Sequence, residues 1–274
     1  MKKFLFIYGK ILALSTIVFS ITFLFLEFTK VESTLITYVL YLLQKVVVLL
    51  LVFGFYFFAE KEKWGLGIQQ NKGARHFVKG SVLGIIISLL SITLILVWGS
   101  KSVIPLPFNV DTLISTVYFL LFCFAVALLE EVLFRGYIQG LAAHHYNSKS
   151  GVIFSTLFFV AFHGLNSDIN ILGVLGIFLA GLLLAIMKEV SNGLWLGIGF
   201  HFMWNFIETG IFGFLNSDGP PVSPLLTVHL TNNEIITGGK YCPEGSIITI
   251  VLLLILILYI KKRNIHTAQS KIKP

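Results

Sequence analysis

Apolar residues fill most of the chain in long runs, broken by short polar stretches. A transmembrane helix needs about 20 apolar residues, within a range of about 17–25. Eight runs reach or approach that length: 8–28, 35–59, 78–99, 112–133 (continuing helically to about 143), 150–165, 169–187, 192–214 and 246–260. The pattern predicts an all-α membrane bundle of about eight transmembrane helices. The fifth and eighth runs are short, so they either tilt less or borrow flanking residues. Lys2 and Lys3 precede the first run, as in a signal peptide. That run is long and ends in Phe25-Leu26-Glu27-Phe28 with no small-residue cleavage site, so it reads as an uncleaved span.

Composition agrees with the pattern. Of 274 residues, 56% are hydrophobic and 12% charged, against about 25% charged in soluble domains. The mean hydropathy is +0.90. So few charges cannot solvate a soluble surface, and so much apolar content excludes disorder. The net charge of +7 would suit nucleic acid if it formed a soluble patch. It does not. With the N-terminus inside, 15 of the 20 Lys and Arg fall in cytoplasmic segments, among them Lys2, Lys3, Lys10, Lys61, Lys63, Lys72, Arg75, Lys79, Lys149, Lys188 and the group from Lys261 to Lys273. Lys30, Lys101 and Lys240 fall outside, and Lys45 and Arg135 fall within spans. This asymmetry obeys the positive-inside rule and predicts cytoplasmic termini. The expected partner is the lipid bilayer, not nucleic acid.

Two connections are distinctive. The basic segment 60–77 is expected to lie on anionic headgroups. Segment 215–245, with Pro220, Pro221, Pro224, Gly238, Gly239 and Pro243, is a long outer loop. No internal repeat appears. Cys123 falls in an apolar run and Cys242 in a polar loop, so a bridge between them is not expected.

Ionisable residues inside spans are costly and point to function. Glu130-Glu131-x-x-x-Arg135 places Glu131 and Arg135 one helical turn apart, able to pair, which leaves Glu130 as the odd acid. A carboxylate so placed suits general base work; the competing reading is a solvated helix end. Phe159-x-x-x-His163 puts an imidazole in an apolar helix, where a lone His reads equally as a packing residue bonded to a carbonyl. His201-x-x-x-Asn205 sets imidazole and carboxamide on one face, as catalytic donors or as a polar pair joining helices. Depth ties the three together. Glu131 lies 16 residues before the turn at Asn147 and His163 lies 16 after it, so both stand about 20 Å from that turn. His201 and Asn205 lie 9 and 13 residues beyond Asn192, about 14–20 Å deep.

Other polar residues carry less. Glu208 shares the His201 face and reads as a carboxylate reaching water at the outer end. Lys45 sits mid-span and is assigned no role, and His144, His145 and Tyr146 read as interfacial. Trp195 and Trp204 read as packing or anchoring residues. There is no H-E-x-x-H, no G-x-S-x-G and no P-loop.

Taken in order, the three motifs resemble the signatures of the CPBP family, also called the Abi domain family. It comprises type II CAAX prenyl proteases and bacteriocin-processing enzymes. The resemblance covers about 112–260, and Pro243-Glu244-Gly245-Ser246 is similar to a stretch in bacterial members. It implies an intramembrane endopeptidase. It divides the chain into an N-terminal region of three spans (1–110), a catalytic membrane core (111–260) and a basic cytoplasmic tail (261–274). It implies that Glu130 and His163 activate water, that His201 and Asn205 form the oxyanion hole, and that Glu131 and Arg135 hold the geometry. No cofactor is favoured; if zinc is used, Glu130, His163 and His201 are its candidate ligands. The implied substrate is a membrane-associated protein or peptide, of the prenylated CAAX type if its source makes one. Lys outnumbers Arg 17 to 3, compatible with an AT-rich bacterial genome and a bacterial plasma membrane.

Two other classes compete. A non-catalytic immunity or scaffold protein of the same fold would be free to lose Glu130 or His163. A proton-relaying transporter would need a polar path across the whole bilayer, whereas these residues gather at one depth.

Overall fold

The computed structural model describes residues 2–28, 34–60, 63–164, 170–214 and 223–270. Lys30, Lys61, Pro220, Pro221, Lys271 and Lys273, singled out above, lie outside the described residues. Helix α1 spans Lys2–Phe28. Helix α2 spans Thr34–Glu60, its last turn (Tyr56–Glu60) widened into a π-helix. Helix α3 is Gly73–Gly99 and strand β1 is Ser100–Pro105. Helix α4, Val110–His145, is 36 residues long and π-helical over Glu131–Gln139. Helix α5 is Ser148–His163 and α6 is Ile171–Ser191. Helix α7, Trp195–Asn205, runs into π-helical Phe206–Ile211. Strand β2 is Leu226–Leu230, α8 is the short Glu234–Thr237 and α9 is Ile247–Ser270.

Among the described residues the architecture is all-α apart from one small two-stranded antiparallel sheet. Among the described residues, five helices are long and apolar enough to cross a membrane: Leu5–Phe25, Thr34–Glu60, Gly73–Gly99, Val110–His145 and Ile171–Ser191. The other three expected spans also fold as helices, α5 with 16 residues, α7 with 11 before its π turn, and α9 with 24.

Asparagine sets several of the boundaries. Asn109, Asn147 and Asn170 each accept a hydrogen bond from the backbone N–H three residues on, at 2.8–2.9 Å, and so cap α4, α5 and α6. Asn192 ends α6 in the left-handed conformation, φ 51°, which Asn tolerates better than most residues. Core and lipid-facing positions then sort by helix face. Phe119, Ala127, Val132, Tyr137 and Leu141 of α4 are fully buried, making it the central helix. Leu50, Phe58, Val97 and Leu258 stay exposed, which an apolar solvent permits.

Helices α3 and α7 meet at backbone distance. A Cβ on Gly80 would strike the Leu196 carbonyl, and one on Gly84 would lie 2.6 Å from the Phe200 oxygen. A Cβ on Gly199 would strike the Phe77 carbonyl. Without a hydrophobic driving force between helices in lipid, small residues at the seam let dispersion contacts hold them.

Three expectations change. Segment 60–77 does not simply lie on headgroups. Leu66 is buried, the Leu194 N–H donates to Gly67 O at 2.9 Å, and the Trp195 indole donates to Ile68 O at 2.8 Å. The segment is a plug on the bundle, with Lys63, Lys72 and Arg75 exposed on its outer side. Lys10 is not in a cytoplasmic lead but inside α1, paired with Glu60. Segment 215–245 is not all loop. Within it β2 pairs antiparallel with β1, from Ser100 opposite Leu230 to Pro105 opposite Leu226, and α8 follows. Cys123 and Cys242 are both free and buried, and burial pushes the Cys242 thiol up.

The seam makes a clear prediction. Gly199→Val should lower the unfolding midpoint of the detergent-purified protein, at a cost of about 1–3 kcal/mol or more. Gly54→Ala, where a Cβ meets nothing within 4 Å, should be neutral or stabilising by up to about 1 kcal/mol. Equal effects from the two would refute the packing described.

Candidate active site

Three helices bring their polar residues to one place. Arg135 is fully buried and donates to Glu131 Oε1 at 2.9 Å and to the Gly181 carbonyl of α6 at 3.1 Å. Its guanidinium lies over the Phe159 ring, 4.3 Å from the centroid. Glu131, itself 1% exposed, also meets His201 Nδ1 at 3.2 Å through the same oxygen. Gly197 makes room for this carboxylate, since a Cβ there would lie 3.0 Å from Glu131 Oε2. The chain Arg135–Glu131–His201 thus joins α4 to α7, with α6 behind it.

Glu130 faces the other way round the helix. Its Oε2 is 3.8 Å from His163 Nε2 and 3.9 Å from His201 Nε2. Both separations are too long for direct hydrogen bonds. This oxygen is buried and accepts no hydrogen bond from the described residues. The two rings are held from behind. His163 Nδ1 is 2.9 Å from the Phe159 carbonyl. A carbonyl only accepts, so that nitrogen carries a proton and Nε2 is turned towards Glu130. The Phe159 ring lies 4.3 Å from the His163 ring, centroid to centroid, and is itself held by Gly181, where a Cβ would lie 3.0 Å away.

Exposure is graded across the site. The side chain of His163 is 32% exposed and that of Glu130 19%, whereas that of His201 is 9% and that of Arg135 zero. The open side is therefore the α5 side. Asn205 lies one turn beyond His201, at the last α-helical residue before the π turn. Its carboxamide is half-buried and makes no hydrogen bond among the described residues.

The structure thus gathers Glu130, Glu131, Arg135, His163 and His201, with Asn205 on the adjoining turn. Glu208 does not join them, nor does it reach water as expected from sequence. It is 4% exposed, and Trp204 and the Glu244 carboxyl close over it. Lys45 Nζ lies 5.6 Å from the centre of the Phe122 ring. Phe159 carries more than a motif position suggested, as the surface on which Arg135 and His163 both rest. Its place four residues before His163 was the only signal for it.

Glu130 Oε2 and the two Nε2 atoms are the donors that zinc would use. Zinc bonds of about 2.0–2.2 Å in a tetrahedron set neighbouring ligand atoms about 3.3 Å apart. Glu130 Oε2 stands wider than that from both nitrogens, at 3.8 and 3.9 Å. Among the described residues no group of three His, Cys, Asp or Glu is arranged to hold a metal ion. As placed, these residues do not fit a zinc site.

Comparison with curated proteins and with solved structures gives no match. Comparison with protein families gives one: residues 112–207 match the family described as type II CAAX prenyl endopeptidase Rce1-like. The matched segment opens near the start of α4, closes just after Asn205 and contains every residue of the group above. Over residues 112–207 the chain is thus similar to the Rce1-like family, and the likeness supports a protease of the CAAX type acting within the membrane.

Proposed function

We propose that the protein is an intramembrane endopeptidase that hydrolyses a peptide bond of a membrane-associated protein or peptide, with prenylated CAAX-type chains as the leading substrate class. The observation that carries the reading is the buried, unpartnered Oε2 of Glu130, faced by imidazoles from two other helices at 3.8 and 3.9 Å. An acceptor so placed, with a ring nitrogen opposite, is suited to draw a proton from water.

Each residue then has a task. Glu130 takes a proton from the attacking water, and His163 orients that water through Nε2. The oxygen of the water bonds to the scissile carbonyl carbon, and the carbonyl electrons move onto oxygen. His201 Nε2 and the Asn205 carboxamide donate to that oxyanion. For His201 to donate, Nε2 must carry a proton as well as Nδ1, and the Glu131 carboxylate accepts from Nδ1. Arg135 holds Glu131 in place and offsets its charge. The amine leaves with the proton that Glu130 took up. No step requires a metal.

Burial of Arg135 and Glu131 keeps the donors preorganised, which is worth more in a low-dielectric bundle than in water. The graded exposure also fits. Water and substrate enter on the His163 side, while the charge-balancing pair stays sealed. The basic residues on the plug would place this end of the bundle at the cytoplasmic face.

Glu130→Ala and His163→Ala should each abolish processing in cells, read as the loss of product peptides when cell extracts with and without the protein are compared by mass spectrometry. Full activity in both variants would sink the protease reading and leave a binding or immunity role. Asn205→Ala should lower kcat about 100- to 1000-fold, or about 3–4 kcal/mol, with KM little changed. Purified protein should keep its activity after chelation and carry no stoichiometric zinc. Inactivation reversed by added zinc would show instead that the trio closes on a metal.

A further inference from the structure

The stretch that carries Glu131 and Arg135 is the π-helical part of α4, Glu131–Gln139. Wide turns of this kind are less stable than α-helix and cluster at functional sites, so they need support from outside. Helix α6 supplies one side. Arg135 donates to Gly181 O, and Gln139 donates to Ala185 O at 3.2 Å and to Glu189 at 2.7 Å.

The other side is supported from the N-terminal region, outside the matched segment. The Tyr137 hydroxyl donates to Glu60 Oε1 at 3.1 Å. Glu60 is fully buried, and Lys10 Nζ lies 2.7 Å from both its oxygens. One residue earlier, the Trp64 indole donates to the Gly136 carbonyl at 3.2 Å. A Cβ on Gly140 would run into that same indole. Helix α1, helix α2 and the plug thus converge on residues 136–140, directly after Arg135.

Lys10 is partly buried and Glu60 fully, and a largely buried ion pair is a poor source of net stability, because desolvation of the charges offsets their attraction; apolar replacements of like volume are often neutral or better. Fixing geometry is the use that suits such a pair. Glu60 also gives one of its oxygens to the π-helical segment, which simple α1–α2 packing would not require. We propose that Lys10, Glu60 and Tyr137 are positioning residues: they hold the π-helical register of Glu131–Gln139, and through it the direction in which Glu131 and Arg135 face His201. The first two helices are then part of the catalytic apparatus. This inference rests on the proposed roles of Glu131 and Arg135.

The test uses the full chain in detergent or nanodiscs, with Tyr137→Phe and with the double apolar replacement Lys10→Met/Glu60→Met. Tyr137→Phe keeps the ring and removes one hydroxyl. Backbone amide hydrogen exchange over 131–139 should speed up about tenfold, the worth of one hydrogen bond. Exchange over 73–99 and 171–191 should not change. The double replacement should remain folded and show the same local effect. With a cleavable substrate, kcat should fall about tenfold at constant KM. Glu60→Gln, which can still accept from Tyr137, should recover most of the local protection. Unchanged exchange over 131–139 would overturn the proposal, and so would a uniform rise along the chain, which would mark the trio as merely structural. Faster local exchange in a protein whose wild type cleaves nothing would uphold the positioning role and reject the protease reading instead.

Discussion

Burial of the Arg135 guanidinium is the constraint around which the rest is arranged. A cation with no exposure needs a countercharge and hydrogen-bond acceptors, because desolvation otherwise costs several kcal/mol. Glu131 supplies the countercharge, Gly181 a carbonyl and Phe159 a ring face. Each of these then fixes something else. Glu131 orients His201. Gly181 has no side chain, so α6 can come close enough for Phe159 to pack on it. Phe159 supports the His163 ring and, through its carbonyl, sets which His163 nitrogen carries the proton. Glu130 is left without a cation of its own, facing two imidazoles. One buried charge thus ties α4, α5, α6 and α7 together and leaves one carboxylate over.

Much of this could be read from the sequence, for a simple reason. In a membrane, charge is so scarce that each ionisable residue in a span is informative. Helix positions followed from apolar run length, and the turn at Asn147 let depth be counted along both arms. That count brought Glu130-Glu131 level with His163, and the two helices do meet there. The Asn-capped starts of α4, α5 and α6 differ from the expected ones by two residues each, whereas α1 and α3 begin earlier and α9 runs further than the apolar runs indicate, because polar residues extend those helices.

What stayed hidden depends on tertiary context. Glu60 opens the run Glu60-Lys61-Glu62-Lys63, which reads as a water-exposed stop. Nothing local shows that the first of these four turns inward to meet Lys10 and Tyr137. Glu208 read as a solvated end because its partner, Glu244, is 36 residues away and comes in from the start of another helix. The π-helical turns leave no trace in an apolar pattern, since a widened turn keeps the same residue types. The β1–β2 sheet pairs stretches more than 120 residues apart; Leu226-Thr227-Val228-His229-Leu230 alternates as a strand does, but Ser100–Pro105 does not, and no local pattern joins the two.

The seam between α3 and α7 has a consequence for how such a chain can drift. At Gly80, Gly84 and Gly199 the neighbour is backbone, which no change of rotamer can move aside. Substitution on one helix is refused unless the other helix retreats, and retreat would carry His201 away from Glu131. The lipid-facing shell obeys a far looser rule, because one apolar side chain there serves nearly as well as another. Two clocks therefore run in one molecule. The outer surface is free to wander until little overall likeness to a relative remains, while a narrow inner strip of glycines and charges stands almost still.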